Sequence, residues 1–225
     1  PDWFAARAWT PLNRYGPSLT PMEPHGTLLD LMEPYGTLWN LMEPCGNLLP
    51  VRGVRLGAVR APVYENKDRD DLLLMAFDEG SVGACVTTAN HFCAAPVHIL
   101  REHLASTSHV RYWLLNAGNA NAGTGKHGMD ACRQTIASVA AFTGTSSDTV
   151  WPFSTGVIGE PLPVRAICDA IPKACDTCDS SVAAWERASR AIMTTDTHPK
   201  LRHIQCEIGS RTVTLDGMAK GSGMI

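Results

Sequence analysis

Residues 119–132, NANAGTGKHGMDAC, set Gly123, Gly125 and Gly128 in G-x-G-x-x-G spacing. The stretch follows an apolar run, Val110 to Leu115, and precedes a segment of helical periodicity, so its reading decides between a dinucleotide-binding fold and another one. A dinucleotide turn needs its first glycine directly after the strand, where a pyrophosphate meets the helix N-terminus, and an acid at the end of the second strand for the ribose. Here Asn116 to Ala122 separate Leu115 from Gly123, and the only acid at a suitable distance, Asp148, precedes the next strand. A Walker loop fits no better, because Ala120 stands at its first glycine and His127 at its Ser/Thr. A dinucleotide- or phosphate-binding domain is kept as an alternative reading. The residue types favour a rigid connection: Asn116, Asn119 and Asn121 carry amides that bond nearby backbone, and the interleaved small residues allow left-handed turns. Asp130 is expected in the first turn of the following helix, MDACRQTIASVAAF, which ends at Gly144.

Working outward, the periodicity predicts a first strand in VRGVRLGAVRAPV (51–63) and a buried strand in DDLLLMAFDEG (70–80). SVGACVTTA (81–89) reads as a further strand, making a hairpin with the one before it. PVHILREHLA (96–105) has helical spacing with proline at its start, and VRYWLLN (110–116) is a strand. TVWPFSTGVIG (149–159) is a strand running into a Thr-Gly turn, and helices are expected over 162–174 and 181–192. HIQCEIGSRTVTLDGMAKGSGMI alternates as two strands around Gly209-Ser210 before a glycine-rich segment. Mixed strands and helices with an early hairpin indicate an α+β or layered α/β fold.

The chain has 225 residues, 44% hydrophobic and 18% charged, enough for one good core. A net charge of -3 without a basic stripe argues against nucleic acid as a partner. No apolar run reaches the ~20 residues of a membrane span, and the start lacks the pattern of a secretory signal, so the expected location is cytoplasmic. Eight scattered cysteines suit a reducing compartment. Cys175 and Cys178 form C-x-x-C without a second pair of ligands, so no metal site is expected.

Residues 21–50 repeat one ten-residue unit, PMEPHGTLLD, LMEPYGTLWN and LMEPCGNLLP. Three such units are too short to build a solenoid core, so residues 1–48 read as a separate leader, disordered or spurious, ahead of a domain over 49–225. A docking role for this leader gives a further alternative, a catalytically dead interaction module.

Four motifs in series then carry a resemblance: NAGNANAGTG (116–125), STGVIGEPLP (154–163), AIMTTDTHPK (191–200) and GMAKGSGMI (217–225). In this order and spacing they resemble the glutamate N-acetyltransferase / ornithine acetyltransferase family of arginine biosynthesis, with the likeness beginning near LPVRGVRLGAV at Leu49. The resemblance implies an α-β-β-α sandwich similar to the N-terminal-nucleophile hydrolases. It implies that this region is the α portion of a self-cleaving precursor whose α and β chains assemble as α2β2. It assigns Thr155 and Gly156 to an oxyanion hole. Thr194, or Thr195 should the register slip by one, and Lys220 are assigned to the acetylated amino-acid substrate. The implied substrates are N-acetylornithine and glutamate, in some members also acetyl-CoA, with no metal or organic cofactor. The family's nucleophile is a threonine in a P-N-M-A-T segment about six residues past Ile225, so residues 1–225 alone are expected to transfer no acetyl group.

Overall fold

The computed structural model describes residues 49–63 and 68–221; the repeat-bearing stretch lies outside them. Its centre is the strand that the sequence marks most plainly. LLLMAF, Leu72–Phe77, is β2, apolar at consecutive positions because both faces of the sheet are covered there. It pairs antiparallel with β1, Val54–Val59, on one side and with β3, Tyr112–Asn119, on the other. β4, Val150–Val157, lies parallel to β3, giving the sheet order β1-β2-β3-β4.

Alternation along β2 divides the core. Leu72 and Leu74 point to one face, where they meet Ile136, Val139 and Ala140 of α2 (Gly125–Thr143) and Ile167 and Ile171 of α3 (Val164–Asp176). The first turn of α1 (Ala95–Ser106) joins the same cluster through Ala95 and Ile99. Leu73 and Met75 point to the other face, against Ala184, Trp185 and Ala188 of α4 (Val182–Ala191). Ser181 caps α4, its hydroxyl accepting from the Ala184 N–H at 3.2 Å. Leu74 is fully buried. Leu74→Ala is therefore expected to destabilise the fold by about 2–5 kcal/mol, read as a lower denaturation midpoint at unchanged slope.

A separate antiparallel ribbon, β5 (Lys200–Ile208) and β6 (Arg211–Ala219), turns at Gly209, whose φ of 65° is the left-handed conformation glycine allows. The ribbon is tied to the start of β1 by Asp216, whose buried carboxylate meets His203 Nδ1 at 2.6 Å and accepts from the Val51 N–H at 3.1 Å. Between ribbon and sheet, Val54, Leu73, Met75, Trp113, Leu115 and Met218 line a largely apolar cavity of about 450 Å³.

Three expectations are corrected. Residues 81–89 form no strand; Val82 makes one isolated bridge to His109, and β2 instead makes its hairpin with β1. Gly83 explains the difference: a side chain there would fall on the Trp151 indole, so the segment crosses that ring as irregular backbone. β3 continues through Asn116 to Asn119, leaving only 120–122 before Gly123. Helix α2 begins at Gly125, which moves Asp130 out of its first turn. β3, α2 and β4 thus form a βαβ unit, but β4 contains no acid to hold a ribose.

Candidate functional site

Three side chains from distant parts of the chain converge on one point. Thr155 lies in β4, Thr194 follows α4, and Lys220 follows β6. The Lys220 ammonium donates to Thr155 Oγ1 and, at 3.2 Å, to Thr194 Oγ1. An ammonium has three donors and a threonine hydroxyl has one donor and two lone pairs. Lys220 therefore spends two donors on the lone pairs of the threonines, which leaves both hydroxyl protons and its own third N–H for a bound group. Lys220 and Gly156 are exposed and Thr155 half-buried, so a solute reaches this point.

Gly156 has φ of 137° and sits opposite Gly118, where the β3–β4 register shifts in a bulge. A Cβ at Gly156 would fall on the Gly118 carbonyl, so only glycine lets the strands approach so closely. Thr155 and Gly156 therefore lie within β4 at a bulge, not in a turn after it as their sequence suggests.

The asparagine-rich stretch is the frame behind that bulge. Ser154 Oγ donates to Asn116 Oδ1 at 2.6 Å, and Asn116 Nδ2 donates to the Asn119 carbonyl at 2.8 Å. Asn119 Nδ2 reaches the carbonyls of Glu160 and Pro161 at 3.2 and 3.1 Å, while its Oδ1 accepts from the Asn121 N–H at 2.7 Å. Asn121, at φ 47°, donates to the Gly128 carbonyl at 3.0 Å. All three asparagines are buried, and their amides bond backbone as the sequence indicates.

Asp196 was not legible as a site residue. Its side chain is fully inaccessible, and its carboxylate accepts from Lys200 Nζ at 2.6 Å, the Gly221 N–H at 2.6 Å and the Thr194 N–H at 3.1 Å. One acid thus fixes the backbone beside both Thr194 and Lys220. Burial by itself would raise this carboxyl, but the hydrogen bonds from Lys200, Gly221 and Thr194 outweigh it and hold it well below the usual carboxylate range. A depressed folded value means that the stabilisation is complete above the ordinary pKa of about 4 and fades only as pH falls below it. Asp196→Asn is expected to cost about 1.5–3 kcal/mol at pH 7. Thermal melts of the two proteins should differ fully at pH 7 and draw together only below about pH 4.

Several other polar groups are structural. Burial pushes the Cys132 thiol up to about 12 and those of Cys175 and Cys178 up to about 11, so none is a thiolate near neutrality. Among the described residues no group of three or more His, Cys, Asp or Glu is placed to hold a metal ion.

Residues 55–225 match the ArgJ family model. The chain belongs to the ArgJ family. It is 49% identical over 178 residues to the arginine biosynthesis bifunctional protein ArgJ of Methylococcus capsulatus, covering 79% of this chain and 42% of that protein. The Pseudomonas fluorescens protein of the same name is 46% identical over 178 residues, covering 79% and 43%. This chain therefore spans about two fifths of the length of the curated relatives it matches. Among solved structures, the ArgJ protein of Bacillus halodurans superposes with a TM-score of 0.76 at 32% identity, covering 82% of this chain and 95% of that one. Ornithine acetyltransferase of Mycobacterium tuberculosis, solved with ornithine, gives 0.70 at 30% identity, covering 78% and 91%. The fold is accordingly the layered α/β arrangement of the ArgJ structures, similar to that of the N-terminal-nucleophile hydrolases.

Proposed function

We propose that this chain is the α portion of an acyltransferase that moves an acetyl group from N-acetylornithine to glutamate in arginine biosynthesis. The observation that carries the reading is the convergence of Thr155, Thr194 and Lys220, joined through one ammonium. Membership of the ArgJ family supplies the chemistry those groups would serve.

In this reading a threonine hydroxyl from the part of the family that this chain does not span attacks the acetyl carbonyl. An N-terminal threonine serves because its own α-amino group, with a pKa near 8, takes the hydroxyl proton. Thr155 Oγ1–H and the Gly156 N–H donate to the oxyanion that forms. The amide C–N bond breaks, ornithine departs with the proton on its amine, and an acetyl-threonine ester is left. The glutamate amine then attacks the ester and returns the threonine hydroxyl. Thr194 and the spare N–H of Lys220 orient the amino-acid part of the substrate, the cation suiting a carboxylate.

Two supports come from the scaffold. The asparagine frame holds the bulge at Gly156 rigid, and preorganised donors are what stabilise a transient oxyanion. The cavity above Trp113 and Leu115 leaves apolar sheet surface open, which suits a second layer from a β chain and an α2β2 assembly. No helix among the described residues is long and apolar enough to cross a membrane, which agrees with a cytoplasmic biosynthetic enzyme. Use of acetyl-CoA as a donor is tested by replacing N-acetylornithine with acetyl-CoA in the assay. Initial rates of the complete gene product, with N-acetylornithine and glutamate varied together, should give the parallel double-reciprocal lines of a ping-pong reaction. Intersecting lines, or no transfer, would overturn the reading.

A further inference from the structure

The first-quoted glycine stretch has a second neighbour that the acyl-transfer site does not use. Gly123, Thr124 and Gly125, at the start of α2, form one wall of a cavity of about 320 Å³, and His91 and Cys93 of the segment leading into α1, with His98 of α1, form the other. That volume lies within the range of small-molecule sites.

Cys93 and His98 face each other across this cavity's rim. Cys93 Sγ lies 3.2 Å from His98 Nε2, and the Arg101 guanidinium lies 3.8 Å from the same sulfur. Arg101 also holds the preceding segment in place, donating to Thr87 Oγ1 at 3.0 Å and to the Thr88 carbonyl. The sulfur therefore has a base within hydrogen-bond reach and a fixed cation beside it, the two features that activate a thiol. The opposite wall is also electropositive. Helix α2 starts at this wall with no side-chain N-cap bond and no acid in its first turn, so the positive end of its dipole is not offset by a carboxylate there. Among the described residues no carboxylate lines the cavity.

We propose that Cys93 is a reactive thiol, activated by His98, whose cavity takes up small disulfides bearing carboxylates. In the step, the Cys93 proton passes to His98 Nε2 and the thiolate attacks one sulfur of the small disulfide. A Cys93 mixed disulfide forms as the original S–S bond breaks, and the leaving thiolate recovers the proton from the His98 imidazolium. Cys93 is oxidised, and half of the small disulfide is reduced to its free thiol. The carboxylate of the retained half sits against Arg101 and the start of α2. This modification site is independent of the acetyl-transfer reading.

The test treats the purified chain with substoichiometric dithio-bis-nitrobenzoate, a dianionic disulfide, and maps the modified cysteines by mass spectrometry. Cys206, exposed on β5, is the internal comparator. Cys93 should react at least about tenfold faster than Cys206, and His98→Asn should bring the two rates within about threefold. His98 is exposed on α1, so the variant should keep the parent's melting midpoint, which is checked in parallel. Cystamine, a dicationic disulfide, should show no preference for Cys93. Equal labelling of Cys93 and Cys206, a Cys93 rate unchanged in His98→Asn, or equal preference with cystamine would each overturn the proposal.

Discussion

Thr155→Ala is expected to lower kcat of the complete gene product by about 10²–10³-fold while leaving KM within a few-fold. The reason lies in the direction of the hydrogen bonds. Lys220 already occupies a lone pair of Thr155 Oγ1, so the hydroxyl proton is turned away from the lysine and is free to donate. A ground-state carbonyl gains little from that donor, whereas an oxyanion gains much, and only the second gain appears in kcat. Thr155→Ser keeps the hydroxyl and should recover most of the rate. An unchanged kcat in the alanine variant, or a loss confined to KM, would remove Thr155 from the chemistry.

The second large effect falls on Lys220. Lys220→Met preserves the length of the side chain and removes the ammonium, and with it the bond to Thr194 Oγ1 and the one to Thr155 Oγ1. Hydrogen bonds to charged groups contribute about 1.5–3 kcal/mol. At 1.36 kcal/mol per decade this is about 10- to 150-fold in kcat/KM, appearing mainly as a raised KM for N-acetylornithine. Because the lysine also positions Thr155, the double variant Thr155→Ala/Lys220→Met should lose less than the product of the two single losses. Strictly multiplicative losses would mean that the two side chains act separately. Lys220 is exposed, so the substitution should leave the melting midpoint nearly unchanged.

How far the sequence carried these conclusions depends on whether the deciding contacts are local. LLLMAF reads as a doubly covered strand because its apolar character is continuous, and α1 reads from helical spacing with proline at its start. The strand expected over 81–89 fails because its β-branched residues say nothing of the Trp151 ring that Gly83 must cross. In the sequence β3 reads as ending at Asn116 because asparagine, glycine and alanine are poor strand formers. The buried amides of Asn116 and Asn119 instead fix the last residues of β3 and the turn after β4. The glycines that open α2 look like loop residues, yet they belong to the helix, where Gly128 leaves the room that the Thr124 and Asn121 side chains occupy.

The site divides in the same way. Thr155, Gly156, Thr194 and Lys220 were named through resemblance, since a Thr-Gly pair, a hydroxyl after a helix and a lone lysine are each unremarkable by themselves. Their convergence is a tertiary fact, made where Lys220, just past β6, meets Thr155 of β4 and Thr194 after α4. Asp196 went unseen because an acid two residues after Thr194 resembles an ordinary turn residue. Its role appears only when the chain comes back and sets the Gly221 N–H on its carboxylate.

The most direct test of the acyl-transfer account is the intact mass of the complete gene product after incubation with N-acetylornithine and no acceptor. A gain of one acetyl group on a single threonine is expected, lost when glutamate is added, with both phases slowed in Thr155→Ala. Absence of any adduct under conditions where transfer to glutamate proceeds would contradict it, since the acetyl group would then pass directly from N-acetylornithine to glutamate with no acetyl-threonine intermediate.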